Sequence, residues 1–143
     1  MKSLLYSSRL SALLGLCFVT ACSTISTYDQ VAYEHATSGK VDTLTLMDKA
    51  TQSYSSHQKE IDAVKTGLDK AYEYDRGRPL NKSTVAQWEI LLDPNRDLVG
   101  GFLKMWKSKG SLSATFVAEK KSQIGDAFDQ IIGLESGKIK PSQ

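Results

Sequence analysis

Histidine, cysteine and proline are all scarce in this chain of 143 residues, with two, two and three copies. Cysteine occurs only at positions 17 and 22, both in the opening stretch, so the body has no thiol pair to close as a disulfide. With His35 and His57 as the only histidines, there is no His-Glu-x-x-His zinc motif, no Glu-x-x-His pair of the di-iron type and no Cys-x-x-Cys-His haem attachment. A phosphate-binding loop is missing too. Gly100-Gly101 lacks a following Lys-Ser or Lys-Thr, and Glu135-Ser136-Gly137-Lys138 matches such a loop only in its last letters. Ser55, Ser56 and His57 are neighbours on one turn and cannot converge as a nucleophile and base do. These absences point to a protein that is not an enzyme and carries no cofactor or metal. No run of roughly 20 apolar residues, the length that a bilayer span requires, occurs anywhere.

What the chain does have is a distinctive beginning. Met1-Lys2 and Arg9 precede a short apolar run, Leu10 to Val19, which closes on Val19-Thr20-Ala21-Cys22. A charged start, a short apolar core and small residues before a cut direct secretion. With Cys directly after the small residues, the stretch resembles a bacterial lipoprotein signal. The resemblance covers residues 1–22 only. It implies that 1–21 is a cleaved signal peptide and that Cys22 becomes the lipid-modified first residue of the mature protein, carrying acyl chains such as palmitate. In a Gram-negative host, Ser23 rather than Asp after the cysteine implies the outer membrane, with the protein facing the periplasm.

Once the signal and its Lys2 and Arg9 are removed, 16 basic residues face 16 acidic ones. Zero net charge gives no electrostatic case for nucleic acid. The charge is uneven along the chain: residues 22–75 hold nine acids and five bases, residues 76–143 seven acids and eleven bases. Opposite signs suit docking of the two halves on each other. The mature length, about 120 residues, is that of one domain and long enough to bury a core without a metal or disulfide.

Residues 22–27 read as a short tether, 28–137 as a single helical domain and 138–143 as a frayed tail. Thr27 with Gln30 has capping-box spacing, which places the first helix start near Tyr28. From there to Arg76 no proline occurs, and Met47, Ala50, Tyr54, His57, Ile61, Val64, Leu68 and Ala71 keep helical steps of three and four. Read literally, this is one helix on the order of 70 Å long. Weak helix formers at Thr51 to Ser56 and a second capping box, Ser55 with Gln58, favour a break into helices over 28–53 and 56–76, the latter capped by Gly77 with Pro79 beyond. A third helix starts at Thr84. Asp93-Pro94 kinks or briefly breaks it before it resumes and ends at Lys107, Lys109 and Gly110. A fourth opens at the Ser113 cap, with Leu112 and Val117 placed as a hydrophobic staple, and buries Val117, Ile124, Phe128, Ile131 and Leu134.

The expected fold is therefore all-α, an antiparallel up-down four-helix bundle, or one long helix over 28–76 packed on two to three shorter helices. His57 lies on the apolar stripe as a core or boundary residue, and His35 beside Glu34 reads as solvated. Gly100 and Gly101 are costly inside a helix, each by about 1 kcal/mol relative to Ala, so something must compensate. One account is close approach of the second or fourth helix, with Trp88 and Trp106 in the core. The other is a shallow groove in which Gly100, Gly101, Phe102 and Trp106 form a partner surface. Two functions follow. The first is a monomeric, membrane-anchored interaction module that meets another envelope protein. The second is a carrier of a small apolar ligand in a core cavity lined by Phe102, Trp106, Ile124 and Phe128.

Overall fold

The computed structural model describes residues 26–140, and Cys22 lies outside them. Those residues are all-helical, with five α-helices and one 3-10 turn. The first helix, α1 (Gln30–Met47), starts two residues later than the Thr27 capping box suggests. Asp29 is its cap, in extended backbone, and its carboxylate accepts from the Ala32 N–H at 2.8 Å. A carboxylate at the helix start satisfies an orphan donor and opposes the positive end of the dipole, which explains why it displaces Thr27.

After Met47 the chain turns, passes through the 3-10 turn (Tyr54–His57) and returns as α2 (Gln58–Arg76), packed against α1. The single long helix over 28–76 is thereby excluded, and α1 ends earlier than the expected 53. Tertiary hydrogen bonds explain the early end. The Ala50 carbonyl accepts from Leu112 N–H at 2.8 Å, and Tyr54 N–H donates to the Gly110 carbonyl at 2.7 Å, so this turn is laced to a second turn beside it. That second turn needs Gly110 at φ 78°, a backbone angle that favours glycine, although its ψ of −42° departs from the left-handed helical cap read from the sequence. Gly39 lets α1 come close to α2, since a Cβ there would lie 2.9 Å from the Leu68 side chain.

The expected third helix is two. Helix α3 (Lys82–Leu92) starts before Thr84, and α4 (Val99–Lys109) starts well past Pro94. Asp93 does not begin a helix. It accepts from Asn95 N–H through its side chain at 2.8 Å and from Arg96 N–H through its carbonyl at 3.1 Å, which closes a turn and gives the break, not the kink, of the two expected outcomes. The last helix, α5 (Ala114–Glu135), follows its sequence signals. Ser113 accepts from Phe116 N–H at 3.3 Å, and Leu112 and Val117 are both in the core.

Helix α5 packs on α1 and α3, and α3 also meets α2. Between them lie Ile61, Leu68, Trp88, Trp106, Ile124, Phe128 and Ile131, all buried, with Trp88 edge-on to Phe128 at a centroid distance of 6.0 Å. The stretch expected to fray holds a docked residue. Ile139 N–H donates to the Gly133 carbonyl at 3.0 Å and its side chain fills the space a Cβ on Gly133 would need.

Candidate interaction groove and tether clamp

The glycine pair opens α4. A Cβ on Gly100 would sit 2.2 Å from the Leu92 carbonyl oxygen, and one on Gly101 1.8 Å from the Arg96 carbonyl oxygen. Both neighbours are backbone and cannot swing aside. The compensation for two helical glycines is thus the fold of the α3–α4 turn onto the first turn of α4, not approach of α2 or α5. Phe102 and Trp106 are core residues. Phe102 stacks on Phe116 at 6.3 Å, while Trp106 is fully buried, meets Tyr54 edge-on at 5.4 Å and donates its indole N–H to the Gln52 carbonyl at 3.0 Å. The four residues do not share one outward surface as the groove reading requires.

Of the four, Gly100 alone lines an open groove between α2 and α4, with a volume of about 360 Å³. Its floor is apolar, from Tyr54, Leu68, Leu92, Val99 and Leu103, and Lys65, Lys104, Lys107 and Asp69 stand around it. Helix α4 carries three lysines and no acid, so this wall is cationic. A cationic rim over an apolar floor suits an amphipathic, acidic surface.

At the end of the bundle where the chain enters, Asp75 and Glu135 are both buried. Arg78 lies between them. Its Nη1 donates to Asp75 Oδ1 at 3.2 Å and to Glu135 Oε2, and its Nη2 donates to Ser26 Oγ at 3.0 Å and to the Thr27 carbonyl at 2.7 Å. One guanidinium thus fastens Ser26 and Thr27 to the C-terminal ends of α2 and α5, using the fork geometry that an ammonium lacks. The second oxygen of Asp75 accepts from the Trp88 indole at 2.7 Å, and Asn81 donates to the Asp75 carbonyl at 3.1 Å. Burial pushes the Asp75 carboxyl above its ordinary range, with the Glu135 charge adding to the rise and the bonds from Trp88 and Arg78 opposing it. Burial alone would lower Arg78, but its bonds and charge attraction to Glu135 and Asp75 prevail and hold it further toward the charged form.

This clamp is absent from the sequence reading, although a signal was there. Asp75 continues the stripe Leu68, Ala71 by a step of four, and Glu135 continues Phe128, Ile131 likewise, which puts a carboxylate on each of two buried faces.

The histidines sit apart. His57 is half-buried beside Trp106, its Nε2 2.8 Å from Gln52 Oε1 and its Nδ1 3.5 Å from Glu60, and Ser55 pairs instead with Ser53 at 2.9 Å. His35 does not stand free in solvent: it is half-buried, edge-on to Tyr74 at 5.2 Å. Among the described residues no three His, Cys, Asp or Glu side chains converge as a metal site, and no helix is long and apolar enough to cross a membrane. Comparison with family models, with curated proteins and with solved structures finds no match to the chain in any of the three.

Proposed function

We propose that the chain is a membrane-anchored envelope lipoprotein, acylated at Cys22, whose helical body is a non-enzymatic interaction module. The observation that carries the reading is Val19-Thr20-Ala21-Cys22, placed directly after a short apolar run. Several acyl chains on one cysteine, at about 0.8 kcal/mol for each buried CH₂, hold a protein where one chain would not. The bundle hangs from that anchor as a monomer, on an antiparallel up-down path in which α3 and α4 together take the third leg. In a Gram-negative cell, Ser23 favours the outer membrane and a periplasmic body.

The partner is another envelope protein, and the surface we assign to it is the α2–α4 groove, which Gly100 lines. Groove chemistry favours this over a carrier of apolar ligands. Phe102, Trp106, Ile124 and Phe128, which would have to line a core cavity, belong to one packed and buried cluster. Fractionation tests the anchor: wild-type chain should be membrane-bound with the mass of an acylated Cys22, and Cys22→Ser should be soluble. A photo-crosslinking residue in place of Leu103, compared with one at Asp126 on the exposed face of α5, tests the groove. Equal crosslinking from both sites would remove the groove assignment.

A further inference from the structure

We infer that the tether end of the bundle rests directly on the lipid headgroups, with Leu80 inserted at the boundary between headgroups and acyl chains. The inference depends on the proposed anchor at Cys22. Ser26 lies four residue steps after Cys22, and Arg78 holds Ser26 and Thr27 against the body. At no more than about 3.6 Å per residue, the acylated cysteine stays within roughly 14 Å of Ser26. The body cannot stand away from the surface.

What the body presents there suits lipid. Leu80, two residues past Arg78, is 59 % exposed and has φ 58°, the left-handed region in which an L side chain crowds its own carbonyl. Glycine or asparagine would adopt that turn more easily, and in water an exposed leucine gains nothing there. At a bilayer surface its side chain is a wedge. Tyr28, 61 % exposed, begins the same end, and tyrosine settles at headgroup depth.

Charge at this end is compatible. Lys82, Lys138 and Lys140 are exposed and make no ion pair among the described residues. The acids nearby are engaged: Asp75 and Glu135 with Arg78, Glu73 with Arg76 at 2.6 Å, Asp29 with Tyr74 and the start of α1, and Glu34 with Gln30. Three free ammonium groups around an apolar tip can meet lipid phosphates. Contact there sets the height of the groove. Lys65 to Asp69 lie about 10–17 Å along the α2 axis from Arg76, at 1.5 Å per residue, so the groove stands clear of the headgroups.

The test uses the full acylated chain in vesicles of phosphatidylethanolamine and phosphatidylglycerol. With the signal removed and Cys22 acylated, a cysteine at position 80 is the sole free thiol and takes a nitroxide label. A second variant, Thr51→Cys, puts the label in the turn after α1, about 27 Å of helix from the tether end. Power saturation with oxygen and a water-soluble nickel chelate should place the Leu80→Cys label about 5–10 Å into the headgroup–acyl boundary and the Thr51→Cys label in water. Equal access of nickel to both labels, in protein whose mass shows an acylated Cys22, overturns the docking and leaves the anchor standing. An unmodified Cys22 overturns both.

Discussion

Arg78→Met tests whether the tether clamp carries the end of the fold. The change keeps an unbranched apolar stem but removes the guanidinium and with it all four of its hydrogen bonds. Asp75 and Glu135, buried at 0 % and 4 % exposure, are left as two carboxylates with no cation between them. Removing one partner of a buried ionic group destabilises by about 3–5 kcal/mol, because the remaining charge is uncompensated. Against a total of roughly 5–15 kcal/mol for a domain, that is a severe loss. Acid should return part of it. Burial already raises Asp75, and without Arg78 the rise is larger. A carboxyl raised in the folded state contributes stability that is fully present below its unfolded pKa and is lost as pH rises through the folded pKa. The deficit of Arg78→Met should therefore be greatest near neutral pH and shrink toward about pH 5, by up to 1.36 kcal/mol per unit for one proton. Urea denaturation of both proteins across that range measures it, and Arg78→Lys, which keeps the charge without the fork, should fall between them. A deficit below about 1 kcal/mol, or one that does not change with pH, would refute the view that these carboxylates are buried as ions held by one arginine.

Gly101→Ala drives a Cβ to 1.8 Å from the Arg96 carbonyl oxygen and should lose at least about 1–3 kcal/mol, whereas Gly67→Ala, with nothing within 4 Å, should gain about 0.5–1 kcal/mol in the same assay. Leu80→Asn relieves the left-handed backbone and should raise the stability of detergent-solubilised protein by up to about 1 kcal/mol; an unchanged or lowered melting temperature would mean that Leu80 is held by the fold itself. Lys104→Glu with Lys107→Glu reverses the charge of the groove wall at exposed positions. The double variant should keep its melting temperature and lose crosslinking from position 103, and crosslinking at the wild-type level would remove the charge argument for the partner.

Much of the helical plan was legible in local chemistry. The Ser113 cap and the Gly110 end of α4 act through hydrogen bonds with neighbours a few residues away, and such signals are written in the order of the chain. The early end of α1 depends instead on partners far along it. Helix α1 stops at Met47 because Ala50 and Tyr54 find backbone partners at Leu112 and Gly110, a pairing no local pattern contains. The break between α3 and α4, one of the two outcomes expected there, is local: it follows from Asp93, whose side chain can cap either the helix ahead of it or its own turn. The sequence favours the first through Pro94, and the backbone adopts the second.

The glycine pair shows the same limit at the site itself. Two helical glycines require compensation, and backbone packed against both supplies it. Its direction was not recoverable, because close approach by a facing helix, by a partner, or by the chain's own preceding turn all demand the same missing Cβ. The structure selects the last, and the choice has a functional consequence. With Phe102 and Trp106 turned inward and the Leu92 to Arg96 backbone pressed onto the glycines, α4 is pinned at its first turn. Its outer face, Leu103, Lys104 and Lys107, is then held rigidly beside α2. A wall fixed in this way loses little freedom when something binds against it, so the glycines act on the groove through the position of α4 and not through contact.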